Sequence, residues 1–304
     1  MRTSRALALG AAVLVAIAAC TPGGGSKPTV RIGSDGFYES ALMAEIYAQV
    51  LEANGYPVER KLKLGSRKVR QPALEAGQID LAPEYLGSGL GFYDASQISG
   101  DPAANKQALQ AILATKGGGI TVLGFTPGED TNAFAVRRDT ADRYALAKMS
   151  DLAAVQDELT WGLPPECETN PLCRGALETA YGIRWPPKRI ELLAACDAPI
   201  AEALRSGAVD VAELCSTQPA IGQFGFVALE DDKQTQPAEN IAPLVRNDYL
   251  AKLGDRAAFE KLLDDVSAKI TTQVLIDLGV KVAVEQQSEA AVAKAWLTEN
   301  GFLK

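Results

Sequence analysis

Two rhythms of apolar and polar residues run along this 304-residue chain, one of period two and one of helical period. TVRIGS at 29–34 is β-branched, apolar and closed by Gly33-Ser34, which predicts a strand. Leu42, Ile46, Val50 and Leu51 then fall at helical steps until Asn54-Gly55 stops them. PVERKLKLG at 57–65 reads as a second strand, VRQPALEAGQ at 69–78 as a short helix closing at Gly77, and IDLAPEY at 79–85 as a third strand. A helix over 106–117 and a strand over 119–127 follow. The pattern then starts again. Strands are predicted at 132–138, 160–166, 189–194 and 208–216, with helices at 175–183 and 198–207 between them. FVALEDDK (226–233) and NIAPLVRND (240–248) read as strands, and 257–303 is mostly helical, with apolar residues three and four apart. One short stretch is written twice: ALEAGQIDLA at 73–82 and ALRSGAVDVA at 203–212. Each reads as a helix end, a glycine cap and a strand with an Asp near its start.

Strand and helix in alternation predict an α/β fold with mainly parallel sheets flanked by helices. The restart divides the chain into two lobes, one from 28–128 plus 242–304 and the other from 129–241. The chain crosses between them twice, near FTPGED (125–130) and PAENIAPL (237–244). Two crossings make a hinge, and two hinged lobes enclose a cleft.

The first residues stand apart from this pattern. MRTSR is basic, and ALALGAAVLVAIAA is an apolar run too short to span a membrane comfortably, so 1–19 reads as a secretory signal. IAAC, Ile17 to Cys20, looks like a bacterial lipobox, implying cleavage before Cys20 and a lipid on its sulfur, with 20–27 as a flexible tether. The alternative is an ordinary signal with an incidental cysteine. An exported chain with four further cysteines points to disulfides. Cys167 and Cys173 share a polar, Pro-containing loop, where a local bridge would act as a staple; that leaves Cys196 with Cys215 by elimination. Three pairings are open, and the last two fit buried free thiols as well.

Charge and composition exclude several functions. The chain carries a net charge of −8 and no basic cluster, which argues against nucleic acid as a partner. It contains no histidine, which removes Ser-His-Asp and Cys-His catalysis and the usual zinc sites. No nucleophile elbow or metal-ligand cluster is evident, so the chain is not read as an enzyme and no cofactor or metal is expected.

Four blocks carry a family resemblance: 30–56, LGSRKVRQPALEAGQIDLAPEYLGSGL (64–90), EDTNAFAVRRDTA (129–141) and 229–250. Over essentially all of 28–304 the chain resembles the substrate-binding proteins of quaternary-ammonium ABC transporters, the glycine betaine, choline and osmoprotectant group. The resemblance implies a two-lobed periplasmic-binding-protein fold of type II with two crossovers at a hinge. It further implies an extracytoplasmic, lipid-anchored monomer that captures a small solute in the cleft and delivers it to a membrane permease. A sensor or scavenger lipoprotein on the same fold is the alternative.

A quaternary ammonium has no N–H to donate, so a protein holds it with aromatic faces, at about 0.5–2 kcal/mol per ring. Tyr85 lies just past the carboxyl end of the third strand, where open α/β sheets bind ligands, and the resemblance makes it a cage residue. Ser88 stands where relatives often place a Thr that bonds the ligand's polar end. Three positions depart from relatives that bind betaine: Asp35 replaces a common Lys, Asn132 a second cage Tyr, and Asn170 an Arg that grips carboxylate. The departures argue against glycine betaine and for a cation without a carboxylate, or one with several hydrogen-bonding groups. Phe37 and Tyr38 are candidates for a compensating ring. Ser34, Thr131, Ser216 and Thr217 complete the expected site. Arg67 is read as structural, with Glu84 as its partner.

Overall fold

The computed structural model describes residues 27–303; the signal, Cys20 and most of the tether lie outside the described residues. The first sheet contains β1 (Val30–Gly33), β2 (Val58–Lys61), β3 (Leu81–Tyr85), β4 (Ile120–Val122) and β10 (Ile241–Arg246), in the order β2-β1-β3-β10-β4. The second contains β5 (Asn132–Val136), β6 (Trp161–Leu163), β7 (Ile190–Leu192), β8 (Val211–Cys215) and β9 (Val227–Ala228), in the order β7-β6-β8-β5-β9. In the first sheet β10 alone runs antiparallel to its neighbours, and in the second β5 does. The two sheets therefore share one plan, each completed by a strand that follows a crossing.

Local sequence explains the elements that shape the site. Helix α1 (Tyr38–Ala53) is apolar nearly all round because it is buried nearly all round, between the first sheet and the C-terminal helices Arg256–Ser267 and Glu289–Glu299. Helix α2 (Arg67–Glu75) starts at the loop that carries Gly65 and Ser66. The next helix, α3 (Leu86–Asp94), lies where the sequence showed only a glycine-rich exit from the third strand. Glycine disfavours helix by about 1 kcal/mol relative to alanine. Close approach is the reason for two of them here: a Cβ on Gly87 would sit 2.4 Å from Pro237, and one on Gly89 would sit 2.7 Å from Glu84. Helix α4 (Pro102–Leu113) is capped by Asp101, whose carboxylate accepts from the Ala103 N–H, and begins earlier than the periodicity suggested. The strand expected at 226–233 is only Val227–Ala228, because the chain then leaves β5 and bridges Lys148 through Glu230.

The echoed stretches form the same corner in each lobe. Gly77 and Gly207 both take left-handed backbone, with φ of +70° and +81°. Asp80 accepts from Arg31, and Asp210 accepts from Arg137 and from the Thr160 N–H. An arginine also covers the helix end in each: Arg246 donates to Leu74 O and Glu75 O, and Arg137 to Leu204 O and, past the glycine, to Val209 O. The crossings run side by side, joined by the Asp130 N–H on Glu239 O (3.2 Å) and by an antiparallel bridge between Glu129 and Asn240. Both disulfides form in the second lobe, Cys167–Cys173 and Cys196–Cys215, with Cα separations of 5.1 and 4.9 Å. No helix among the described residues is long and apolar enough to cross a membrane.

Candidate functional site

A cavity of about 550 Å³ opens between the sheets and is walled by both. The two echoed strands end on it, β3 through Tyr85 and β8 through Glu213 and Cys215. The first wall comes from the loop after β1 (Asp35, Gly36, Phe37), the start of α2 (Gly65 to Lys68), Tyr85, and Ser88, Gly91 and Phe92 of α3. The second comes from Asn132, the loop Pro164–Pro171, the loop Ala194–Asp197 and β8. Asp130 and Glu239 close it at the crossings.

At the first wall, Asp35 and the neighbouring Glu84 are matched by arginines. Arg70, fully buried, reaches both Asp35 oxygens (3.2 and 3.3 Å) and Glu84 Oε2 (2.6 Å). Arg67 donates to Glu84 through Nε (3.0 Å) and Nη2 (2.9 Å). Burial opposes the Glu84 charge, but the two guanidiniums more than offset this and hold its carboxyl at about 2. Asp35 is thus not the free anion that its sequence position suggested; its charge is shared with Arg70, 35 residues away. Phe37 and Tyr85 form an aromatic pair on this wall, with ring centroids 5.7 Å apart and planes tilted by 39°.

Tyr85 is held from behind. Its hydroxyl donates to Glu39 Oε1 (2.9 Å), and Glu39 Oε2 accepts from the Thr217 hydroxyl (2.7 Å) across the cleft. Thr217 in turn gives its N–H to Asp130 Oδ1 (3.0 Å). Burial, and then the neighbouring Asp130, push the Glu39 carboxyl well above the ordinary range, and burial raises Asp130 as well. A second link spans the cleft where Lys68 donates to the Thr169 hydroxyl.

The second wall lacks such matching. Glu213 lies in the fully buried strand VAELC, beside the Cys167–Cys173 sulfurs. Burial, helped by Glu166, pushes its carboxyl up to about 8. Glu239 reaches about 8 for the same first reason, although the Ser88 hydroxyl donates to its Oε1 (2.5 Å). One oxygen of each of these residues has no donor.

Of the residues expected from sequence, Asp35, Phe37, Tyr85, Ser88, Asn132 and Asn170 line the cavity together. Asn132 donates to Gln236 Oε1 (3.0 Å), and Asn170 caps the helical segment Pro171–Ala180 through Leu172 N–H. Ser34, Tyr38, Thr131, Ser216 and Thr217 lie outside the lining, and the hydroxyls of Ser34, Ser216 and Thr217 are spent on hydrogen bonds within the protein. The Ser34 hydroxyl donates to Asp35 O and accepts the Lys63 N–H, and the Thr131 N–H donates to Ser216 Oγ. Tyr38 is packed in the first-lobe core. Sequence reasoning passed over Lys68, Phe92, Asp130, Glu166, Asp197, Glu213 and Glu239 as cavity residues, and gave Arg67 only its pairing with Glu84. A signal for Glu213 was present: an acid inside an otherwise apolar strand, on the second copy of the echo.

The family described as the substrate binding domain of ABC-type glycine betaine transport systems matches residues 28–299. The chain belongs to this family. As a member it is an extracytoplasmic solute-binding protein of an ABC importer, working with a membrane permease and carrying out no chemistry of its own. It is 29% identical to the glycine betaine-binding protein YehZ of Escherichia coli (strain K12), over 98% of this chain and 99% of that protein. It is also 29% identical to a glycine-betaine-binding protein of Pseudomonas aeruginosa, over 90% and 89% of the two chains. Among solved structures, a glycine betaine/carnitine/choline ABC transporter protein superposes with a TM-score of 0.69 at 22% identity, over 90% of this chain and all of that one. The solute-binding protein therefore has the two-lobed, type II periplasmic-binding-protein architecture, two mainly parallel sheets each flanked by helices.

Proposed function

We propose that this solute-binding protein captures a small cation of the quaternary-ammonium kind between lobes 28–128 plus 242–304 and 129–241. The observation that carries this reading is the imbalance of the cavity. Asp130, Glu166, Asp197, Glu213 and Glu239 line it without a guanidinium partner, while Arg67 is tied to Glu84 and Lys68 to Thr169. A cation is the solute such a lining favours, and the tilted Phe37–Tyr85 pair offers ring faces for its alkylated head. In this assignment Tyr85 and Phe37 are the cage, Ser88, Asn132 and Asn170 supply polar contacts, and Glu39 with Thr217 holds Tyr85 in place. The ligands named for the relatives, glycine betaine, carnitine and choline, share the alkylated head. A betaine carboxylate finds no unengaged guanidinium here, which favours solutes without one.

None of Trp161, Trp185 and Trp296 lines the cavity, so calorimetry is the direct readout. Titration with choline, carnitine and glycine betaine is expected to give saturable binding, with choline the tightest. Absence of heat with all three, and absence of any co-purified cation by mass spectrometry, would remove the reading. We further assign the anchor to a lipid on Cys20 and the mature form to a monomer. Fatty-acid labelling lost in Cys20→Ser, and a monomer mass by light scattering, are the expected results.

A further inference from the structure

Two carboxyls in the cavity wall have hydrogen-bonding capacity that the protein leaves unused. Glu213 and Glu239 are each 2% exposed, and the Oε2 atom of each accepts nothing. Leaving a buried polar group unbonded costs on the order of 1–3 kcal/mol, and more for a charged one. Neither has a guanidinium bonded to it. Glu213 has Glu166 as its charged neighbour, and Glu239 bonds only Ser88, with Arg67 already committed to Glu84. Both residues line the cavity, one from the second sheet and the other from the return crossing beside α3. Such a carboxyl sheds its charge by keeping a proton, but its unused oxygen is satisfied only by a donor from the cavity.

A fully alkylated ammonium answers only half of this need. It brings positive charge, but no N–H or O–H to an orphaned oxygen. We infer that Glu213 and Glu239 are specificity-determining residues that select an alkylated cation carrying O–H or N–H donors at two positions, over one carrying none. The inference rests on the cationic reading above and names the solute class within it. The aromatic pair takes the alkylated head, and the two acids take the donors. The cavity, at about 550 Å³, has room for a solute larger than a bare tetraalkylammonium. Ionisation of the two acids on binding also releases protons, since burial holds both near 8 in the solute-free protein.

The test is a matched series without, with one and with two donors: tetramethylammonium, choline and (2,3-dihydroxypropyl)trimethylammonium. Affinity is measured by calorimetry in two buffers of different ionisation enthalpy. The wild-type protein is expected to bind at least fivefold tighter at each added hydroxyl, with protons released to buffer. In Glu213→Gln and in Glu239→Gln one of the two steps is expected to shrink below twofold, and in the double variant both. Equal wild-type affinity for all three would overturn this inference and leave the cationic reading standing. Failure of all three to bind would overturn both. A series that stays steep in both variants would take the selection away from these residues. The wild-type series alone decides the donor preference if a variant does not fold.

Discussion

The corner built by residues 73–85 and the corner built by 203–215 begin alike and end differently. Both have a left-handed glycine, an Asp held by arginine, and an arginine over the helix-end carbonyls. These features position a strand end on the cavity and are indifferent to what arrives there. At the strand's last residue the first corner presents Tyr85 and the second presents Cys215, bridged to Cys196. Charge divides them too. The first wall's acids, Asp35 and Glu84, share Arg70 and Arg67, whereas Glu213 of the second has no cation. The repeated part of the molecule is scaffold, and the unrepeated part is what lines the cavity.

Removing the first wall's cation should break this contrast most severely. Arg70→Met strands the buried Asp35, leaves Glu84 with Arg67 alone, and is expected to cost about 3–5 kcal/mol in urea unfolding, while Glu213→Leu on the other wall costs nothing or stabilises. Similar losses from both would show that the walls are not differently compensated. Next in size is the Cys196→Ser, Cys215→Ser double variant, which frees the loop that carries Ala194 to Asp197. The 19-residue separation predicts a loss of about 3 kcal/mol, against about 2 kcal/mol for the 6-residue Cys167–Cys173 staple. Equal losses from the two would detach the cavity loop from that explanation.

The third prediction concerns pH. Glu213 and Glu239 carry folded-state values raised to about 8 from 4.5, so the folded protein holds protons that the unfolded chain gives up. Their contribution is complete below 4.5 and is lost as pH rises through 8. Glu84 acts in the opposite sense, but below 4.5, outside this window. The solute-free protein should therefore show a lower urea midpoint at pH 8.5 than at pH 5.5, and a bound cation should narrow the gap. A flat profile would mean that these acids are solvated. The smallest expected effect belongs to the ring: Tyr85→Ala should weaken cation binding by about 0.5–2 kcal/mol, and Tyr85→Phe by less, with calorimetry as the readout. Unchanged affinity in the alanine variant would move the cage elsewhere.

Much of the scaffold was legible because it is written in periodicity. The alternation of strand and helix, the restart near residue 129 and the glycine caps of the echo are all local signals. Helix α3 was not legible, because Gly87 and Gly89 weaken the helical pattern for a reason located at Pro237 and Glu84. The site divides in the same way. Tyr85 follows from the position of a strand end, and Ser88 from the family resemblance. The pairing of Asp35 was not legible, because its partner, Arg70, comes from another element and nothing in SDGF records it. Glu213 and Glu239 stand out only once their surroundings are known, since lacking a donor is a property of a neighbourhood rather than of a residue.

Glu39 has one carboxyl and two dependants. One oxygen receives the hydroxyl of Tyr85 from its own lobe, and the other receives Thr217 from the opposite lobe. Separating the lobes removes one of these donors and wets the carboxyl, so the group that steadies the ring is disturbed by the same movement that opens the door. Glu39 thus behaves as a coincidence detector, fully bonded only when the aromatic wall is set and the lobes are together. With the proposed seat of the solute at Tyr85, letting the solute go and unmaking that seat would be a single step.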